Sequence, residues 1–397
     1  MNKPKLIRIT TIPLSLKVLL KGQLGFMSEE FEVVGVSSPG EDLEEVHKNE
    51  GIRVEAIEMT RQITPLKDLI SLWKVYRFLK KEKPQIVHTH TPKAGIIGML
   101  AARLAGVPNR LHTVAGLPLL EARGSKRGIL DFVEKLTYRA ATRVYPNSKG
   151  LYDFILKNKF TRDSKLKVIA NGSSNGIDTS FFAPEQISEQ EKKELKKALG
   201  IEEQDFVFVF VGRLVGDKGI NELVSAFSEL RTQNAKLITH ENNVSSSGVE
   251  NPKLLLVGPL ETDLDPLNPE TLKEIESNPD IVSVGFQKDV RHYFAVSSAL
   301  VFPSYREGFP NVVMQAGAMG LPAIVSDING CNEIIVEGEN GSIIPPKNAE
   351  GLYTAMQNIM NDGAYYDHLA ANARRMIQSR YEQTVVWQAI LEEYRKL

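Results

Sequence analysis

The chain has 397 residues, 42% of them hydrophobic and 24% charged, and a formal net charge of −1. That length exceeds one comfortable core, so two domains of nearly 200 residues are expected in an ordinary globular protein. A single cysteine, Cys331, excludes an internal disulfide framework and fits a reducing compartment. No run approaches the roughly 20 apolar residues that cross a bilayer. The N-terminus runs straight into a short strand rather than a leader, so a cytoplasmic location is expected. Charge is uneven: residues 1–180 carry 29 Lys+Arg against 18 Asp+Glu, and the remainder 19 against 31. Basic residues cluster at Arg77, Lys80, Lys81 and Lys83, at Arg123, Lys126 and Arg127, and at Lys135, Arg139 and Arg143. An anionic partner for the first half follows. No aromatic-interleaved or helix-turn-helix signature points to nucleic acid. A peripheral contact with an anionic membrane face fits the charge better.

In chain order, short apolar runs alternate with longer ones at helical spacing. Strands are expected at 6–12, 32–36, 53–57, 85–89, 110–114, 143–146 and 167–170, with helices at 66–81, 94–105, 127–141 and 149–158. A second cycle opens after Pro184 with a charged helix at 188–199, then strands at 206–211, 253–257, 281–284, 299–303 and 323–326. Such alternation implies α/β domains built on doubly wound parallel sheets. The expected division is 1–182, 183–379 and a terminal helix within 380–397. Residues 232–251, rich in Gln, Asn, Ser and Gly, read as an extended surface loop.

The segment from Ser304 to Ala318 is the most informative stretch of the chain. A buried strand ended by Pro303 leads into a loop with one carboxylate, Glu307. Pro310 is placed as a first-turn residue of a helix carrying Gln315. Free N–H groups and the helix dipole attract phosphate there, while the carboxylate accepts hydrogen bonds from sugar hydroxyls. A second loop, from Gly212 and Arg213 to Lys218 and Gly219, also follows a strand. An arginine fork and a lysine point charge suit a leaving diphosphate. Asp263 and Asp265 have D-x-D spacing, but lie in a proline-flanked acidic loop, and no metal role is assigned to them. Neither zinc spacing nor a nucleophilic Ser or Cys-His pattern is present.

SYREGFPNVVMQAGAMGLP is similar to the E-x7-E segment of the retaining glycosyltransferases of family 4. VHTHTPKAGIIGMLAARLAGVP, VFVGRLVGDKGINELVSAF and SDINGCNEIIVEGENGSIIPP resemble further stretches of that family, in the expected order. The resemblance implies the GT-B fold, two Rossmann-like domains facing an interdomain cleft, with the last helix crossing back onto the first. It implies transfer of a hexose or N-acetylhexosamine from a UDP-sugar to a saccharide on undecaprenyl diphosphate, in capsule, exopolysaccharide or O-antigen synthesis. It further implies no cofactor and no metal, Arg213 and Lys218 meeting the diphosphate. Glu307 would orient the sugar, and Gly212, Gly308, Phe309, Pro310, Asn311 and Val312 would line the donor. Gln315 departs from the family's second acid. Its carbonyl can still accept from ribose hydroxyls, whereas its NH2 cannot. Gly22 stands where the family has a glycine loop facing the diphosphate, without the tandem glycine. His88, His90 and Lys93 are candidates to position the acceptor. Ala115 replaces a cleft histidine of many relatives, and strand alternation turns His112 to the opposite face. The loop at 171–178 reads as a tight turn, by hinge packing or by ligand contact. A UDP-sugar 2-epimerase of the same architecture is the rival chemistry, and a non-catalytic sugar-nucleotide-binding protein the third reading. A dinucleotide dehydrogenase is disfavoured, because no G-x-G-x-x-G follows the first strand.

Overall fold

The computed structural model describes residues 3–117, 119, 122–240, 251–263 and 265–397. They form two compact units, Met1–Gly176 with Gln383–Leu397, and Ile177–Glu382. The boundaries differ by a few residues from 182 and 379, and hydrogen bonds give the reason. The Ile177 N–H donates to the Tyr381 carbonyl at 2.8 Å, and Thr179 donates to the Glu382 carboxylate. Arg374 adds donations to the Thr179 and Phe182 carbonyls at 2.9 and 2.8 Å, so 177–182 is held by the second unit.

The first unit contains a six-stranded parallel sheet of β1 (Lys5–Ile9), β2 (Glu32–Ser37), β3 (Arg53–Ala56), β4 (Ile86–Thr89), β5 (Asn109–Val114) and β6 (Arg143–Pro146), in the order β3-β2-β1-β4-β5-β6. Helices cover both faces, so its inner strands are buried on both sides, mostly with apolar residues: Leu6, Ile7 and Ile9 are all inaccessible. The terminal helix Gln383–Arg395 completes one of these layers, placing Val386, Ile390 and Leu391 against Leu6, Leu16 and Leu24. Two strand expectations are corrected. The 6–12 run ends at Ile9, because Pro13 opens a helix, Pro13–Leu19. Residues 167–170 are not a strand: after one bridge between Leu166 and Val144 the chain turns through left-handed Ala170 (φ 50°), Gly172 (φ 91°) and Ser173 (φ 65°). Helices Gln23–Ser28 and Glu41–Glu50 were not anticipated.

The second unit repeats the architecture with β7 (Asp205–Val211), β8 (Asn251–Val257), β9 (Ile281–Ser283), β10 (Ala299–Phe302), β11 (Ala323–Ser326) and the unanticipated β12 (Gly341–Ile344). The order is β12-β11-β10-β7-β8-β9. Its leading helix, Glu189–Leu199, is fixed at one end by a capping box between Ser188 and Glu191 and at the other by left-handed Gly200 (φ 66°). The surface loop expected at 232–251 is corrected for its first part. Helix Ile220–His240 runs through 232–240 and buries Leu230 and Asn234, while Thr232 and Lys236 are exposed. Residues 241–250 lie outside the described set, and Asn251 already belongs to β8.

In each unit the chain leaves one central strand to build one side of the sheet and returns to build the other. The reversal falls between β1 and β4 in the first unit and between β10 and β7 in the second. Open α/β sheets bind ligands beyond the carboxyl ends of the strands at such a point.

Candidate active site

Both sequence-predicted loops of the second unit lie at its reversal point. The loop after β7 carries Gly212, Arg213 and Lys218, and the loop after β10 carries Glu307. The two are stapled together by backbone and side chain. The Tyr305 N–H donates to the Asp217 carbonyl at 2.9 Å, and Arg306 pairs with the Asp217 carboxylate at 2.7 Å. The Tyr305 hydroxyl donates to Glu222 at 2.6 Å, and burial raises its pKa. Gly219 (φ 71°) lets the first loop pass against Pro303, where a Cβ would lie 2.2 Å from the Pro303 carbonyl oxygen.

Lys218 Nζ ion-pairs directly with Glu307, which also accepts a hydrogen bond from the Ser304 hydroxyl at 3.1 Å. Both members of the pair are largely sheltered, at 17% and 18% side-chain exposure. Arg213 pairs with Glu261 at 2.9 Å, but at 45% and 33% exposure that contact is weak and readily exchanged for a better anion. Asn329 donates to the Glu307 carbonyl at 3.2 Å and also to that of Gly308. Gly330 (φ 79°) packs so closely on this loop that a Cβ would meet the Gly308 carbonyl at 2.6 Å. Asn329, Ser304, Asp217 and Glu261 were not singled out from sequence. Asn329 and Gly330 do fall within a stretch that carried the family resemblance.

The helix after this loop is Asn311–Ala318. Pro310, expected in its first turn, is its N-cap instead, with extended ψ of 113°. No side chain caps the helix, so its first N–H groups have no side-chain acceptor from the N-cap. Phe309 packs edge-on against Tyr381, with ring centroids 5.5 Å apart. Val312 packs on the core, Asn311 is exposed, and Gln315 is half-buried on the following turn. The Asp265 carboxylate accepts from the Asp217 N–H, and its carbonyl from the Gly216 N–H at 2.9 Å. That acid therefore shapes the turn leading into Lys218.

The first-unit candidates all have neighbours within that unit. Gly22 does not face an open loop. It caps a helix at φ 76°, and a Cβ on it would lie 2.5 Å from the Trp387 indole. His88 is committed to the core, with Tyr394 on Nδ1 at 2.5 Å and Thr113 on Nε2 at 2.8 Å. His90 accepts from buried Arg8 at 2.9 Å. Lys93 is taken up in an ion pair with Asp68 at 2.5 Å. His112 lies on the other face of the sheet, as alternation requires, bonded to Thr89 at 2.7 Å and pressed against Gly95. The turn at 171–176 packs through Asn175, whose carboxamide accepts from Trp387 and Gln23 and donates to Lys21.

These buried histidines carry a pH prediction. Burial holds His112 down to about 4, and burial with neighbouring positive charge holds His88 and His90 well below the usual 6.5. The unfolded chain takes up these protons near pH 6.5, the folded chain only at lower pH. Stability is therefore full above 6.5 and falls as pH drops toward 4, by about 3 kcal/mol for His112 alone. Urea denaturation across this window should show the loss, with a shallower slope in His112→Asn.

Comparison with known proteins agrees with this architecture. The Anabaena protein HepE, crystallised in complex with UDP, superposes with a TM-score of 0.80 at 19% identity, covering 99% of this chain and 100% of that one. The fold is that of the GT-B glycosyltransferases. Residues 191–376 match the family described as "Glycosyl transferases group 1", and residues 25–172 match "Glycosyl transferase 4-like domain". A capsular polysaccharide biosynthesis glycosyltransferase, CapM of Staphylococcus aureus, is 32% identical over 99% of this chain and 97% of its own. An Escherichia coli UDP-Gal:alpha-D-GlcNAc-diphosphoundecaprenol alpha-1,3-galactosyltransferase is 33% identical over 77% of this chain and 73% of its own. The chain belongs to the group 1 glycosyl transferases and is a glycosyltransferase. Among the described residues, no helix is long and apolar enough to cross a membrane.

Proposed function

We propose that the enzyme transfers a hexose or N-acetylhexosamine, with retention of configuration, from a UDP-sugar to a saccharide on undecaprenyl diphosphate. The observation that supports this most is the half-buried Lys218–Glu307 pair beside an uncapped helix start at the reversal point of the second sheet. A diphosphate placed there draws Arg213 away from Glu261 and meets Lys218 and the helix N–H groups. Charge growing on the leaving group is stabilised without a metal. Glu307, freed to share its hydrogen bonds, accepts from donor-sugar hydroxyls. A donor phosphate oxygen takes the acceptor proton on the same face, so no protein nucleophile is needed. The relatives named above act in capsule synthesis and on a diphosphoundecaprenol acceptor, which supports the acceptor class.

The test is UDP release from a panel of UDP-sugars, with and without polyprenyl-diphosphate saccharides. Acceptor-dependent release with a retained anomer supports the reading. Epimerisation of the donor without acceptor would replace it with the 2-epimerase chemistry. Gln315→Glu should bind UDP about 3- to 10-fold more tightly, because an ionised acceptor makes roughly twice as strong a hydrogen bond to ribose hydroxyls. Calorimetry at neutral pH checks this, and unchanged affinity would remove Gln315 from the nucleotide site.

A membrane face for the first unit belongs to the same reading. Helix Pro65–Glu82 exposes Leu66, Leu69, Ile70 and Trp73, at spacings of three and four, with Leu66 79% exposed. Arg77 lies over the Trp73 ring at 4.8 Å, and Lys67, Lys74, Lys80 and Lys81 flank the stripe. An apolar ridge in a basic field suits the interface of an anionic bilayer. Trp73→Ala should lower binding to phosphatidylglycerol vesicles about 10-fold, since burying a large aromatic is worth about 1.5–3 kcal/mol. Sedimentation with vesicles measures it.

A further inference from the structure

Arg8 is the second-last residue of β1 and has no exposed surface. A guanidinium stays protonated in proteins. Burial of such a charge is costly unless it is compensated. Yet no carboxylate of the described residues pairs with Arg8. Its Nε donates to His90 Nε2 at 2.9 Å, its Nη2 donates to the Gln23 side-chain oxygen at 2.5 Å, and its Nη1 has no hydrogen-bond partner, the guanidinium carbon lying 6.0 Å from the centre of the Tyr394 ring. The Arg8 contact also settles the state of His90. Nε2 must accept, so the neutral imidazole carries its proton on Nδ1.

That Nδ1 is buried and has no partner, in a residue only 4% exposed. His90 lines a cavity of about 20 Å3, together with His88, Thr113, Asn147 and Ser174. The Ser174 hydroxyl is likewise buried and unpartnered. A cavity of this size admits one water-sized atom. It lies at the carboxyl ends of β4, β5 and β6, beside the reversal point of the first sheet, and its loop wall contains left-handed Ser173. The Asn147 oxygen is the opposing feature, a third buried atom without a hydrogen-bond partner and an acceptor. Turning that carboxamide over presents its NH2 instead and gives up only a 3.4 Å contact with the Ala115 carbonyl.

We infer that this cavity is an anion subsite, in which His90 Nδ1–H and the Ser174 hydroxyl donate to one anionic atom while Arg8, one imidazole ring away, supplies the compensating charge. A halide or a terminal oxygen of a phosphoryl group fits that chemistry. The second source would be the acceptor's diphosphate, and that assignment alone rests on the transferase reading above.

The experiment uses the full chain in halide- and phosphate-free buffer and follows the imidazole 1H–15N resonances, His90 being assigned from their loss in His90→Gln. Chloride, inorganic phosphate and geranyl diphosphate are titrated separately. A saturable shift of the His90 Nδ1 resonance with any of them is expected. Response to chloride or phosphate identifies an anion drawn from solvent, and response to the diphosphate ester alone identifies the acceptor headgroup. Arg8→Met should abolish the shift. Ser174→Ala, on a loop and better tolerated, should weaken the apparent affinity at least threefold and keeps the idea testable if Arg8→Met does not fold. A His90 resonance indifferent to all three probes overturns the subsite. UDP binding on the same samples reports the second unit separately, so its failure is distinguishable from failure here.

Discussion

Lys218→Ala is expected to weaken UDP binding about 10- to 100-fold and to lower kcat/KM about 100- to 1,000-fold. A charge-assisted hydrogen bond is worth about 1.5–3 kcal/mol, and a group that meets charge developing on the leaving group costs more when removed. Two effects combine at this position. Loss of the ammonium removes the attraction for diphosphate, and it also releases Glu307 from its ion pair. A freed carboxylate next to the phosphates repels them, so both effects weaken donor binding and none offsets the loss. Arg213→Ala should fall in the same direction by less, because its guanidinium is the more exposed of the two cations. Calorimetry with UDP, with circular dichroism to confirm folding, checks the order. Unchanged UDP affinity in folded Lys218→Ala would place the diphosphate elsewhere and withdraw the proposed site.

Gly219→Ala is expected to cost about 3 kcal/mol of stability or more, with Gly200→Ala as its control at about 1 kcal/mol. Both glycines are left-handed, at φ 71° and 66°, so both substitutions carry the conformational penalty. They differ in space. A Cβ on Gly200 meets nothing within 4 Å, whereas one on Gly219 lies 2.2 Å from the Pro303 carbonyl oxygen. Backbone must move to relieve that contact, and the backbone concerned joins the loops after β7 and β10. Gly219→Ala should therefore also lose UDP affinity under conditions where it remains folded, and Gly200→Ala should not. Urea midpoints and calorimetry separate the two. Equal destabilisation by both variants would show that the close approach at Pro303 is relieved without cost.

Much of the second unit was legible because its signals are local. The run Phe206 to Val211 is apolar on both faces of a buried strand, Ser188 and Glu191 form a capping box within one turn, and Arg213, Lys218 and Glu307 sit in short loops directly after strands. Elements with weak local signals were missed. β12, Gly341–Ile344, is four residues long, and the polar sequence at 232–240 hides a helix whose buried side is set by packing.

The amino-acid sequence by itself determined the two doubly wound sheets and the family. Alternation of strand and helix dictates a parallel sheet, and motifs in fixed order carry the resemblance. It also determined which loops hold the cations and the carboxylate. Tertiary structure decided what those side chains touch. Pairing of Lys218 with Glu307 joins residues 89 positions apart, and the Asp217 bonds that fix their loops depend on β7 and β10 lying side by side. It also placed His88 against Tyr394, Lys93 against Asp68 and Gly22 against Trp387. A histidine at a strand end reads the same in sequence whether it faces solvent or Tyr394, a contact 306 residues away along the chain. Burial and partnership at such distances follow from how the layers close, which no local pattern records.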